Sequence, residues 1–481
     1  MRRTARIGVC AVVAIAGGVV TRPAQPSLAA GATWTAYVTD NSAAGTKVVP
    51  FDTAGNATAT PITAGIARPY GIAITPDAAT AYVADNNANT GTTVTPISTS
   101  SNTAGVPISL GTSTGPQVIA ITPDGSAVYT ANRGSNTVSV ISTATQMLST
   151  TVTGLSGGVD AIAITPDGNT AYVVHADNGT VDQLATTTNT VVGTLTLGGA
   201  GSDQVGIAIT PDGNTAYVAE GKDNAVYRIT GASGGSPAVN PTTIAVGTTP
   251  EGVAITPDGA SVWVANERSP SVSVISTATN TVTATITDPS FGHPDAIAFT
   301  PDGRTAYVAN TSGSTVSPID TATDTVGTPI SIGARSNPEG IAVTPDQAPV
   351  ATFTVAPAPP GSPTGFDASA STVVYGSIAS YAWNFGDGSA SITTSPTTAH
   401  TYANPGTYTA TVTETSSGGT STTKVFTGQT MTRNGGPSAT ASRAVALAVP
   451  VPATGVPAAP FAGMLLLVAG LLVLGGWRRR R

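Results

Sequence analysis

Four carboxylates recur at one position of an internal repeat, and their convergence would make a site. The tripeptide Thr-Pro-Asp begins at Thr75, Thr122, Thr165, Thr210, Thr256, Thr300 and Thr344, at spacings of 47, 43, 45, 46, 44 and 44 residues. A short apolar stretch such as Ala296-Ile297-Ala298-Phe299 precedes each copy. Two residues before the first large aliphatic of these stretches stand Tyr70, Gln117, Asp160, Val205, Glu251, Asp295 and Glu339. If the stretches start together around one channel mouth, Asp160, Glu251, Asp295 and Glu339 face one another there. Carboxylates at close range repel unless protonated or neutralised by a cation. An all-oxygen ligand set favours a hard ion such as calcium, the single cofactor this pattern suggests. The alternative is that Pro-Glu-Gly and Pro-Asp-Ala are ordinary loop chemistry with solvated acids. His293 and Arg335 lie near two of the acids in sequence. Asn132, His175, Glu220, Asn266 and Asn310 follow a second strand and are expected at the opposite mouth, in no catalytic order.

Composition narrows the chemistry further. Three His and one Cys exclude a zinc finger, a cysteine nucleophile and a disulfide scaffold. The chain has 481 residues, with 19 Lys and Arg against 26 Asp and Glu. Eight of the basic residues (Arg2, Arg3, Arg6, Arg22 and Arg478 to Arg481) sit in the two end segments, which hold no acid. Without those ends 11 basic residues face 26 acidic ones, a net charge of −15. Such a surface is unsuited to nucleic acid or to an anionic membrane.

Both ends look like addresses. Residues 1–30 place three arginines ahead of an apolar run from Ile7 to Val20, with small residues around Ala29 to Ala32 after it, the pattern of a secretory signal peptide. Cleavage fits after Ala29 or after Ala32, and either removes Cys10. At the other end (450–481) stand Val451-Pro452-Ala453-Thr454-Gly455, an apolar segment 461–477 and four arginines. Seventeen residues are at the short limit for a membrane span, so a plain transmembrane anchor is the alternative. The three-part order resembles a Gram-positive cell-wall sorting signal, Leu-Pro-x-Thr-Gly, with Val451 in place of Leu. The resemblance implies a sortase as partner, which would cleave Thr454–Gly455 and join Thr454 to peptidoglycan. The membrane would be touched only by the C-terminal segment, and the bulk of the chain would lie outside the cell.

The elements between these ends are short strands. A period of about 45 residues suits a four-stranded propeller blade. Gly and Pro number 54 and 36, and Pro-Asp-Gly is strong turn chemistry because Pro presets φ and Asp bonds nearby N–H groups. Alternation such as Val138-Ser139-Val140 suits a half-exposed third strand. Pro50, Pro96 and Pro318 are assigned to outer strands, where a missing N–H costs least. The chain enters at a second strand, Thr35-Ala36-Tyr37-Val38, and leaves after an innermost one, Ile341-Ala342-Val343. The last innermost strand can therefore complete the first blade and close the ring.

Ala306-Tyr307-Val308-Ala309-Asn310 and its cousins resemble the YVTN family of seven-bladed β-propellers, over residues 32–346. Residues 348–449 carry Tyr381-Ala382-Trp383-Asn384-Phe385-Gly386-Asp387-Gly388 and His400-Thr401-Tyr402. They resemble a PKD domain, an immunoglobulin-like β-sandwich, with Trp383 and Phe385 in its core and turn or core roles for Asp387 and His400. The fold expected is all-β: a seven-bladed propeller followed by that sandwich. The function expected is a wall-anchored binding or adhesion protein, with the propeller as interaction platform, the PKD domain as spacer and a surface polysaccharide or protein as ligand. One alternative is an extracellular lactonase-like hydrolase, which some similar propellers are; another is a surface-layer component. Whether the chain is an enzyme stays open, because no Ser-His-Asp order and no metal-ligand spacing is visible.

Overall fold

The computed structural model describes residues 33–448, except 44, 113, 199–203 and 427–430. The signal segment, Cys10, the sorting motif and segment 461–477 lie outside the described residues. Among the described residues there is no α-helix, and none long and apolar enough to cross a membrane.

Seven antiparallel sheets form the propeller. Blade 1 is built from Pro69–Ile74, Thr80–Asp85 and Thr93–Ser98, with an outer strand in two pieces, Thr103–Ala104 and Ile108–Ser109. Blades 2 to 6 repeat this order from the innermost strands Pro116–Ile121, Val159–Ile164, Gln204–Ile209, Pro250–Ile255 and Pro294–Phe299. Blade 7 joins the two ends of the domain: Pro338–Val343 pairs with Thr35–Asp40, which pairs with Lys47–Asp52. Ring closure is thus a β-ladder, with Ala36 opposite Val343 and Val38 opposite Ile341.

The core is a set of wedges between neighbouring blades. Each apolar cluster of the ring joins two adjacent blades, as where Tyr172 and Val174 of blade 3 meet Ile207 and Ile209 of blade 4. The second strands supply Tyr37, Tyr82, Tyr129, Tyr172, Tyr217, Trp263 and Tyr307, all buried. Four of these phenols donate to an Asn in the outer turn of the next blade: Tyr37 to Asn102, Tyr129 to Asn189, Tyr217 to Asn280 and Tyr307 to Asn56, at 2.6 to 2.9 Å. The last of these crosses the closing seam. The Asn residues sit at φ between 52° and 55°, a left-handed turn position that Asn tolerates.

Two expectations about strands are corrected. Pro50, Pro96 and Pro318 lie in third strands, opposite Tyr37, Tyr82 and Tyr307. Their missing N–H faces the fourth strand, and that strand breaks there: in two pieces in blades 1 and 6, and in two single bridges at Thr58 and Ile62 in blade 7. Each proline carbonyl still accepts a hydrogen bond, from Ala59, Gly105 or Gly327. Third strands are also not half-exposed. Val138, Ser139 and Val140 are all buried, because a blade is covered on both faces by its neighbours.

The PKD sandwich packs Thr354–Ala356, Pro363–Asp367 and Thr397–Thr401 against a sheet of Ala390–Thr393, Ile378–Asn384, Gly406–Ser416 and Thr440–Leu447. Trp383 and Phe385 are in its core with Phe353, Phe366 and Tyr402. Gly386 and Gly388, at φ 82° and 93°, make the hairpin turn. Asp387 caps that turn and takes a 2.7 Å bond from His400 Nε2, whose ring stacks on Phe385. A third small sheet, Asp346–Gln347 with Met431–Asn434 and Val425–Phe426, ties the sandwich to the last propeller turn.

Candidate functional site

All seven aligned positions line one cavity at the mouth of the central channel, about 110 Å³ in volume. The local cause is a backbone irregularity repeated around the ring. In every blade the pairing of innermost and second strands slips at this position, for example between Val159 and Ala161 and between Pro294 and Ile297. A bulge re-aims a side chain that would otherwise lie between blades. Four of the residues that follow are glycines. A Cβ on Gly71, Gly206, Gly252 or Gly340 would come within 2.5 Å of the carbonyl oxygen of a neighbouring innermost strand. Glycine therefore lets the innermost strands approach closely, which keeps the channel narrow.

The structure brings Asp160, Glu251, Asp295 and Glu339 to this one mouth and gives them different states. Asp160 is buried and takes a 2.6 Å bond from the Arg133 guanidinium, which reaches over from blade 2. Glu339 accepts a 2.5 Å bond from Asn337 Nδ2. Burial pushes its carboxyl up, and hydrogen bonds involving Asp295, Tyr70, Asn337 and Asn41 pull it part-way back. Asp295 is driven well above the carboxylate range, by burial first and then by Glu339, Glu251 and Glu267. Both shifts run upward, as expected when two carboxyls occupy one site and cannot both ionise freely. The Tyr70 phenol stands among all four acids and is likewise pushed far up, by burial and then by their charge.

The calcium expectation is not supported by this arrangement. Among the described residues no three His, Cys, Asp or Glu are grouped as metal ligands. One acid is spent on an arginine, and burial pushes the carboxyls of two others up, which disfavours their charged forms. His293 turns away to Glu267, 3.6 Å off, and Arg335 forms no ion pair among the described residues.

The residues after the second strands are also placed differently from expectation. Asn132 pairs with Pro116, His175 with Val159, Asn266 with Pro250 and Asn310 with Pro294. They sit at the same mouth as the acids, because an antiparallel neighbour ends where the innermost strand begins. They bond inward to third-strand groups, as Asn266 does to Ser271 and Ser273. The grouping of Ser156, His175 and Asp182 is structural as well. Ser156 gives its hydroxyl hydrogen to Asp182, not to His175, so it is not an activated nucleophile. Arg133 was not foreseen, and its signal was available: it is the one cation directly following a second strand. A larger groove of about 1140 Å³ opens on the outer rim between blades 6 and 7. Its lining is mainly Thr, Pro and Gly, and its Asp320 caps its own turn.

The family model for the lactonase seven-bladed β-propeller matches residues 158–295. That for the PKD domain matches 346–430. The chain thus carries a lactonase-type propeller region and a PKD domain. No curated protein matches it. Among solved structures, the periplasmic gluconolactonase of Pseudomonas aeruginosa is similar at 17% identity and TM-score 0.55, over 65% of this chain and 99% of that one. A functionally unknown protein from Desulfotomaculum acetoxidans is similar at 18% identity and TM-score 0.52, over 64% and 98%. Hydrazine synthase of Kuenenia stuttgartiensis is similar at 21% identity and TM-score 0.51, over 58% and 90%. At these identities the likeness is one of fold, and the differing descriptions show how little this fold says about activity.

Proposed function

We propose that the chain is a wall-anchored surface protein that binds a ligand at the open mouth of its propeller, with the PKD domain as stalk and the C-terminal segment as tether. The observation that carries this reading is the position of the stalk. Innermost strands run from the acid-lined mouth to the Thr-Pro-Asp turns, and the PKD side docks at those turns, where Gln347 donates to the carbonyl of Pro76 in blade 1. A tether leaving from the turn face presents the mouth outward. The cavity also suits recognition of a small group better than enclosure of a whole substrate, for which pockets of about 300–1,000 Å³ are usual. Anchoring would run through Thr454 as a sortase substrate. Pro452→Ala, or removal of residues 461–481, should release the protein into the medium; a Pro452 variant that stays cell-bound, with wild type extracted by detergent, would leave a plain membrane anchor. The binding half is tested by titrating the full chain against wall polysaccharides and extracellular proteins. Binding should be lost with Glu251→Gln plus Glu339→Gln, and binding indifferent to both would sink this reading.

A hydrolase reading has its own support. The lactonase match spans Asp160, Glu251 and Asp295, and Asp295, whose carboxyl is pushed up by burial and by Glu339, makes with Glu339 a carboxyl pair of the acid–base kind. Opening of δ-gluconolactone, followed by base uptake at fixed pH, should then fall at least a hundredfold in Asp295→Asn; no turnover above buffer by wild type removes the reading.

A further inference from the structure

The outer rim is not uniform around the ring. Prolines stand in the third strands of three successive blades: Pro318 in blade 6, Pro50 in blade 7 and Pro96 in blade 1. Where blades 6 and 7 meet, two interrupted fourth strands come together. In blade 6 that strand pairs only through Thr325–Val326 and Ile330–Ser331, and Gly327, Thr328 and Pro329 leave the sheet between them. In blade 7 the bridges at Thr58 and Ile62 stand in its place, and residues 53–58 turn back against blade 6. These breaks leave the rim groove of about 1140 Å³.

One bond across the closing seam fixes its floor. The Tyr307 phenol donates to Asn56 Oδ1 at 2.9 Å, and Asn56 is held in its turn at φ 55°. With the amide oxygen taken, the Asn56 side chain has two N–H donors to offer. Thr58, Thr325 and Thr328 line the groove at exposed positions, and their hydroxyls have no partner among the described residues. Asp320 is the single charged residue of the described lining, and its Oδ1 accepts from the Ala322 and Thr323 N–H groups and from the Thr323 hydroxyl.

We propose that this groove is a second binding site, separate from the channel mouth, for a stretch of neutral polysaccharide. The proposal goes beyond the reading of the mouth and does not depend on it. A hydroxyl both donates and accepts, so a wall of threonines with one oriented amide matches a chain of sugar hydroxyls. Pro329, Ala54 and Ala57 add small apolar surfaces for the C–H sides of sugar rings. A uronate or phosphate polymer would meet no Lys or Arg in this lining. A cationic ligand would meet one carboxylate that already serves its own turn. An extended peptide would need a continuous sheet edge to pair with. Here the edge is cut into two-residue pieces, and the Pro318 carbonyl is occupied by the Gly327 N–H. The groove is open and somewhat larger than the about 300–1,000 Å³ usual for a small-molecule pocket, which fits an internal stretch of a chain.

The test is affinity electrophoresis of the full chain in native gels containing dextran, mannan or polygalacturonate, each read against a gel without polymer. The expected result is retardation by at least one of the two neutral polymers, unaffected by added salt because no ion pair is involved. Polygalacturonate should bind at least tenfold more weakly. Thr58→Glu combined with Thr328→Glu puts a charge on each wall at exposed positions. It should weaken binding tenfold or more while retaining wild-type circular dichroism. Thr190→Glu, on the exposed outer strand of blade 3, should leave binding unchanged. No retardation by either neutral polymer, equal retardation by polygalacturonate, or a folded groove variant of unchanged affinity would overturn the proposal. Retardation kept in the groove variant but lost in Glu251→Gln with Glu339→Gln would place the polysaccharide at the mouth; this inference would then fail and the binding reading would stand. Retardation lost in the groove variant, with no ligand found for the mouth, would leave the groove assigned and the mouth reading without support.

Discussion

At the residue scale the repeat runs its own comparison of buried polar groups. The last residue of the second strand is Asp40, Asp85, Asn132, His175, Glu220, Asn266 or Asn310, and every one is buried. Blades 2, 5 and 6 use the neutral amide, which donates to third-strand hydroxyls without a charge to desolvate. Blade 1 uses Asp85, bonded by Thr93, Thr95 and the Ala67 N–H, with no cation among these partners. Burial outweighs these bonds and lifts its carboxyl to about 6. A carboxyl raised on folding binds its proton more tightly in the native state, so stability falls as pH rises from about 4 to about 6 and stays lower above. Asp85→Asn should remove that slope and stabilise the ring by about 1–3 kcal/mol at pH 8, read from urea midpoints at pH 5 and 8. An unchanged difference between the two midpoints would count against Asp85 as its source. Asp182 in blade 3 is the opposite case. Burial pushes it up, but bonds from His175, Ser156 and Thr194 prevail and hold it well below the usual carboxylate range. Its contribution is present above the unfolded value and lost only in strong acid. Asp182→Asn should therefore cost stability at pH 7, and this cost should shrink as pH falls below about 4.

At the element scale the decisive device is the bulge at the start of each innermost strand, followed by glycine in four of the seven. Gly252 shows its force: a Cβ there would sit 2.1 Å from the Asp295 carbonyl oxygen, a backbone atom that cannot turn aside. Gly252→Ala should cost about 1–3 kcal/mol, and it should disturb the mouth that Glu251 and Asp295 share. Gly235→Ala, on a turn with nothing within 4 Å, should be near neutral. Equal midpoints for the two variants in urea would show that the innermost strands have room to spare. The repeat, its period and the closing blade were legible because Thr-Pro-Asp and the aliphatic stretches recur in phase. The alignment of Asp160, Glu251, Asp295 and Glu339 was legible for the same reason. What each acid does was not. The Arg133 bond and the Asp295–Glu339 coupling depend on reach across blades, which no spacing within one repeat encodes. The third-strand prolines were misplaced because a strand's partner, not its own pattern, decides where a missing N–H can be tolerated.

At the scale of the whole molecule, the sandwich is docked on the ring through one unusual turn. Each of the first six Thr-Pro-Asp copies ends in an Asp that serves its own turn, as Asp167 does for Thr165 and Asn169. The seventh, Asp346, is fully buried between the domains. It accepts from Trp34 Nε1 of the ring at 3.1 Å and from Ser416 of the sandwich at 2.5 Å, and its backbone pairs with Arg433. Two domains that share buried hydrogen bonds should unfold together, which a loosely strung spacer would not do. We expect one calorimetric transition for the full chain. Asp346→Ala would leave the Trp34 N–H and the Ser416 hydroxyl unpaired, a loss of about 1–3 kcal/mol at the junction, and should split that transition in two. Because burial raises the Asp346 carboxyl despite these bonds, the junction should be firmest in mild acid and loosen as pH rises through the folded value. Two independent transitions in wild type at every pH, unmoved by the substitution, would mean that the sandwich is a hinged spacer and that the mouth has no fixed direction relative to the wall.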